Sequence, residues 1–214
     1  MTTFEHHAAE LRNTGAVVLP AYSVFSAEEI DRLDTLQSQL PEEKVTHGDA
    51  GDIHDVFCRR IQTDGPGEHP VKVNRPCSDE IMEILEDPRH RPKFDEVLGS
   101  TAPRYIRRCQ VNRMIEGSFV GLHLDAAANP DYDFSVIVQF GRDFTGGHFV
   151  THPEGEPSRV YEPPHGSVLI TTCDVRHEVT TLTSNERCAL VYFFSSNGGA
   201  NRRCPSTLPS THRA

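Results

Sequence analysis

The chain of 214 residues is one domain's worth of protein, long enough to bury a core and too short for two independent catalytic domains. Its 36% hydrophobic and 7% aromatic content, without a Trp, is lean but still that of a folded chain. Lys and Arg number 21 against 31 Asp and Glu, a formal charge of −10, so the body repels phosphate backbones and anionic membranes and neither nucleic acid nor membrane is an expected partner.

Six Cys, at 58, 77, 109, 173, 188 and 204, show no C-x-x-C pair and no regular spacing, which fits reduced thiols in a cytoplasmic protein. The first residues lack a basic leader region, and no apolar run approaches the ~18 residues of a membrane span.

Phe4, Ala8 and Leu11 recur at helical spacing, and the apolar run 16–19 after Gly15 reads as a strand closed by Pro20. Ser26 and Glu29 form a capping box and Phe25 with Ile30 a hydrophobic staple, so Ile30, Leu33, Leu36 and Leu40 line one face of a helix over about 27–40. Segments 41–52 and 64–76 are rich in Gly, Pro and charge and are expected to be loops around a strand near 53–62. Loops of this length before a site are candidates for a lid that closes when substrate binds. Ile81, Ile84 and Leu85, then Phe94, Val97 and Leu98 before Gly99, predict two short helices.

After Thr101 the helical period gives way to short apolar stretches between turn residues. The candidate strands are 105–115, 118–125, 133–140, 147–152, 158–162, 167–172, 175–182 and 187–195. Eight such strands without intervening helices predict an antiparallel jelly roll, giving a mainly β fold with flanking N-terminal helices. The domain is expected to span 1–195, with helices and loops over 1–104 packed on a barrel of 105–195. Residues 196–214, lacking a packing face, are expected to be a disordered tail.

His123 and Asp125 are two residues apart on a predicted strand, so alternation sends both to one face. In an eight-strand jelly roll the second strand pairs with the seventh, which carries His177. Two His and one carboxylate on one face leave three positions open on an octahedral iron, whereas zinc would take a tetrahedral site with one open position; spacing alone leaves the metal open. Arg187, ten residues past His177, is a cation placed to fork onto a carboxylate inside the barrel.

The series His123-Leu124-Asp125, His177 and Arg187 resembles the signature of the Fe(II)/2-oxoglutarate-dependent dioxygenases, and most closely their prolyl-hydroxylase-like branch. Ser135–Phe140 running into Gly141–Gly147, Glu162–Ser167, Arg176–Val179 and Arg187–Phe193 carry the likeness over about 105–195. The resemblance implies a double-stranded β-helix, that is, a jelly roll. It implies that Fe(II) is held by His123, Asp125 and His177, the catalytic centre, with 2-oxoglutarate and O2 as co-substrates and ascorbate as an allowed stimulant. It assigns Arg187 to the distal carboxylate of 2-oxoglutarate. Many members of the branch carry a Tyr on the third barrel strand, where this chain has Gln139, a departure that weakens the case for a peptidyl proline substrate. Gln110 and Asn112 are further candidates for the co-substrate pocket.

Halogenating members lack the carboxylate ligand, so Asp125 makes hydroxylation the expected outcome, with desaturation or ring formation sharing its first step. A small metabolite or free amino acid is expected ahead of a protein side chain; a peptidyl hydroxylase is the alternative. A cupin-like metal module would want a second His in place of Asp125, and a zinc hydrolase would not need Arg187. His148, His152 and His165 are candidates for the substrate mouth. Arg107, Arg108 and Arg113 are either anion-binding or solvated, Arg176 belongs to the scaffold, and Gly146-Gly147 and Pro163–Gly166 are turns.

Overall fold

The computed structural model describes residues 3–46 and 53–203. In chain order the elements are α1 (Thr3–Thr14), β1 (Ala16–Leu19), α2 (Ala27–Ser38), β2 (Glu43–Val45), β3 (Ile53–Thr63), β4 (Val71–Lys72), α3 (Cys77–Leu85) and α4 (Arg91–Leu98). There follow β5 (Tyr105–His123), α5 (Asp125–Ala128), β6 (Phe134–Gln139), β7 (Thr145–Gly146), β8 (Phe149–His152) and β9 (Arg159–Tyr161). The chain closes with β10 (Val168–Thr172), β11 (Arg176–Val179), β12 (Leu182–Ser184) and β13 (Glu186–Ser195). No helix among the described residues is long and apolar enough to cross a membrane.

The strands form the expected antiparallel jelly roll. One run of the sheet is ordered β1-β10-β6-β13-β5 and continues through β3, which also carries β2 and β4. One edge of β5 pairs with β3. The other pairs with β13 as far as Ile115 and then with β11, which leads on to β8 and β9. This exchange of partners along one strand joins the two sheets and puts a cavity between them.

The handover corrects the expected boundaries, because 105–115 and 118–125 are one strand. Gly117, at φ +87°, takes the bend without a break. Ser118 Oγ accepts from the Ile115 N–H at 2.9 Å and donates to the Asp55 carbonyl at 2.6 Å, so the backbone groups freed at the bend stay bonded. The expected strand 175–182 stops at Val179, and Leu182–Ser184 pairs separately with β7. Segments 41–52 and 64–76, both expected to form a lid, are not wholly loop: β2 and β4 both add to β3, while 47–52 lies outside the described residues.

The helices form where their local signals place them. Ser26 and Glu29 make both bonds of the capping box, and Phe25 and Ile30 are fully buried beside it. Gly99 ends α4 in the left-handed region at φ +64°. These helices cover one face of the sheet, where Leu33, Ile81, Met82, Val136, Leu190 and Tyr192 belong to one buried cluster. A second, smaller cluster, including Met114, Ile137, Phe149, Leu169 and Ala189, fills the barrel.

Residues 196–203 also depart from expectation. The fully buried Arg107 forms a bidentate pair with Asp64, at 2.8 and 3.2 Å, and donates to the Asn197 and Gly199 carbonyls at 3.0 and 2.5 Å. The start of the expected tail is therefore bonded to the barrel, through polar groups that hydrophobic patterning does not register. The rest of it, from 204, lies outside the described residues.

Candidate active site

His123 ends β5 and faces His177 on β11 in direct register, so the expected pairing of their strands holds. The imidazole centroids are 4.3 Å apart. Asp125 is not on the strand but opens α5. Leu124 between them is extended, at φ −121° and ψ 127°, and so carries the alternation one residue past the end of the ladder. Asp125 Oδ1 lies 3.5 Å from His123 Nε2, and Oδ2 lies 3.5 Å from His177 Nε2. One ligand atom from each of the three side chains falls within 4.8 Å of the others, a group that can hold a metal ion.

The surroundings orient these donors. His123 Nδ1 donates to the Gly121 carbonyl at 2.7 Å and His177 Nδ1 to the Val175 carbonyl at 2.9 Å, which turns both Nε2 lone pairs toward Asp125. Ser135 Oγ donates to Asp125 Oδ2, and Phe149 stacks on the His177 ring at 4.9 Å. Burial acts most strongly on the Asp125 carboxyl and would raise its pKa, yet His123, His177 and Ser135 together hold it below the usual range. Burial lowers the pKa of His177 and is the strongest single effect on His123 too, although there the bond to Asp125, its charge and the Gly121 carbonyl together outweigh burial and the value rises.

Arg187 is 4% exposed, at the start of β13 on its inner face. Its Nη1 meets only the Met114 sulfur at 3.7 Å, and its Nε has no hydrogen-bond partner among the described residues. Burial without a neighbouring acid pulls its pKa down to about 10. Gly147, at φ +62°, lets it lie flat, because a Cβ there would stand 3.1 Å from Arg187 Cδ and 2.9 Å from Leu182.

Both the three-residue cluster and Arg187 line one cavity of about 360 Å³. Gln110 and Asn112 line it as well, linked at 2.8 Å to each other and, through Gln110, to Arg108 Nε at 2.8 Å. Gln139 is not among the lining residues: it is fully buried, its Nε2 donates to the Cys188 carbonyl at 3.2 Å, and its Oε1 has no partner among the described residues. An acceptor oxygen gives no bond to a carboxylate.

The remaining candidates disperse. His152 bonds Glu178 and Ser158, His165 the Phe140 carbonyl, and His148 sits 3.4 Å from Glu162; none of the three lines the cavity. Arg113 is claimed by Glu42 and Glu186, and Arg107 by Asp64, so only Arg108 of that trio reaches the cavity. Patterning missed Ser135, although a single hydroxyl at the start of the run Ser135–Val138 was a signal available in the sequence. The five described cysteines are all free thiols, as their spacing implied.

The donor set and the unpaired guanidinium fit an iron and a dicarboxylate together: two neutral imidazoles and one carboxylate for the first, a buried cation wanting an anion for the second. Comparison with known proteins agrees. The model of the 2OG-Fe(II) oxygenase superfamily matches residues 109–195. None of the curated proteins matches the chain. Among solved structures, an oxidoreductase of the 2OG-Fe(II) oxygenase family from Burkholderia pseudomallei is 50% identical over 95% of both chains, with a TM-score of 0.89. A prolyl-4-hydroxylase from Pseudomonas putida shares the fold at 17% identity over 92% of this chain and 100% of its own, TM-score 0.62. The epimerase SnoN, solved with Fe3+, alpha ketoglutarate and nogalamycin RO, does so at 15% identity over 99% and 92%, TM-score 0.70. Identity on this scale across nearly the whole length makes this chain a member of the 2OG-Fe(II) oxygenase superfamily, an Fe(II)- and 2-oxoglutarate-dependent dioxygenase.

Proposed function

We propose that the enzyme hydroxylates an unactivated C–H bond of a small metabolite or free amino acid. His123, Asp125 and His177 would hold the iron, and Arg187 the distal carboxylate of 2-oxoglutarate. The observation that carries this reading is Arg187. A buried guanidinium without an anion is costly, and a bidentate carboxylate is the partner its geometry lacks.

Iron and 2-oxoglutarate, when bound, supply the oxidising power, with O2 consumed as 2-oxoglutarate goes to succinate and CO2. The chain supplies orientation and exclusion of water. Val175 and Gly121 fix the imidazoles, Ser135 fixes the Asp125 carboxylate, and Met114, Phe149 and Val179 give the inner cavity apolar walls. Asn112 accepts from Gln110 through Oδ1, which leaves its amide N–H groups to donate to a carboxylate. A cavity of about 360 Å³ is at the small end of ligand sites, and 2-oxoglutarate takes part of it, so the remainder suits a small molecule.

Anaerobic addition of Fe(II) and then 2-oxoglutarate is expected to give the weak visible charge-transfer band of the chelate. Screening small molecules against peptides for succinate release then tests the substrate class. Asp125→Ala is expected to abolish substrate-dependent succinate release. A missing band together with tight zinc binding would favour a hydrolase instead, and release stimulated by peptides alone would overturn the small-molecule reading.

A further inference from the structure

Further along β13 from Arg187 the lining of the cavity changes character. Tyr132 and Phe193 line it as a stacked pair, centroids 4.2 Å and planes 14° apart, and Val191 and Ala128 add apolar surface. Beside them the lining includes Arg203, which comes from the segment that follows β13.

That segment is tied down at many points. The Asn201 carbonyl accepts from the Gly67 N–H at 2.9 Å, its N–H donates to the Glu68 carbonyl at 2.8 Å, and its side chain donates to the Asp64 carbonyl at 3.2 Å. Arg202 donates its backbone N–H to Asp131 Oδ2 at 2.6 Å and its guanidinium to Oδ1. Asp64 also accepts from Asn129 at 3.0 Å, at the end of the helical turn that Asp125 opens. The buried Asp64–Arg107 pair therefore joins the terminal segment, loop 64–68 and the turn that carries a metal-site residue. A buried ion pair adds little net stability, but it fixes position.

Arg203 is where this bracing ends. Its backbone N–H is held by Asn201 Oδ1 at 2.7 Å, while its guanidinium enters no ion pair among the described residues. The two acids lining the cavity are both engaged, Asp64 with Arg107 and Asp125 with the two imidazoles. In a protein of net charge −10, a cation held at such a mouth attracts anions that the rest of the surface repels.

We infer that segment 197–203 is a strap that carries Arg203 to the substrate end of the cavity, where its guanidinium binds an oxyanion, carboxylate or phosphate, on a substrate whose apolar body lies against Phe193 and Tyr132. The inference rests on the iron and 2-oxoglutarate reading above and narrows its substrate to small acids.

The test loads the enzyme with Mn(II), a redox-inert substitute, and saturates it with 2-oxoglutarate, whose binding is measured first by calorimetry. Failure at that step counts against the iron and 2-oxoglutarate reading and not against the strap. Benzoate, benzamide, phenyl phosphate and phenol are then titrated. An anion should bind at least about tenfold more tightly than its neutral partner, and the stronger of benzoate and phenyl phosphate tells carboxylate from phosphate. Arg203→Gln should remove that preference, Arg203→Lys should keep part of it, and Asp131→Ala, which frees Arg202 and Asn197 of the strap at a residue that does not line the cavity, should weaken the anion while 2-oxoglutarate still binds. No anion binding to the loaded enzyme, equal binding of acid and neutral partner, or an anion affinity unchanged in Arg203→Gln would each overturn the inference.

Discussion

The two faces of β13 serve opposite ends. Leu190, Tyr192 and Phe194 point into the cluster beneath the helices, which is predominantly apolar. Arg187, Val191 and Phe193, offset by one residue, line the cavity. One face lowers the free energy of the fold by burying apolar surface, about 25 cal/mol per Å². The other keeps a guanidinium dry and without an anionic partner among the described residues, a local loss that the first face covers and that the proposed dicarboxylate would relieve. Strand alternation is what lets one segment do both.

Substitutions at neighbouring positions should separate the two roles. The largest effect belongs to Arg187→Met, which keeps volume and removes the charge. The affinity for 2-oxoglutarate should fall by about 30-fold to several thousand-fold, the equivalent of roughly 2–5 kcal/mol, while urea denaturation shows the fold no less stable than the wild type. A marked loss of stability would mean that Arg187 belongs to the scaffold. Leu190→Ala should give the converse, about 2–5 kcal/mol lost in urea denaturation with 2-oxoglutarate affinity retained in the folded fraction.

Farther out on the helix side the effects shrink. Ser26→Ala removes one arm of the capping box of α2 and should cost about 1 kcal/mol by the same measurement, without changing turnover. His90 is buried edge-on to Phe25 at 4.7 Å, and its ring nitrogens have no hydrogen-bond partner among the described residues, although Glu29 lies 3.3 Å away and Asp87, Arg89 and Lys93 are also close. Burial holds its pKa below the ordinary 6.5. The unfolded chain therefore takes up this proton first as the pH falls, and stability drops from about pH 6.5 downward until the folded form is protonated too. His90→Phe should flatten that part of the curve of urea midpoint against pH. An unchanged slope would place the titration elsewhere.

Much of this was legible before any coordinates. Ser26 with Glu29 and the 3–4 spacing of Ile30, Leu33 and Leu36 specify α2 locally, and alternation put His123 and Asp125 on one face even though Asp125 had left the strand. His177 was reached by pairing the strand of His123 with the one that carries it, a pairing the register shows, and Arg187 by its offset of ten residues from His177. Arg107 shows where such reasoning stops. Its sequence neighbours are Ile106, Arg108 and Cys109, and nothing in them indicates that an aspartate 43 positions earlier would bury it.

Local signals were enough to specify helices α1 to α4, the jelly-roll pattern and the candidates His123, Asp125, His177 and Arg187, because caps, periods of 2 and 3.6 and short motifs act over a few residues. Long-range packing settles that β5 is one strand with two successive partners, that Gln139 turns its amide to the backbone, and that Arg203 reaches the cavity. Each of these depends on which distant groups meet when the sheets close, and a buried polar group takes whichever partner that closure brings within bonding distance.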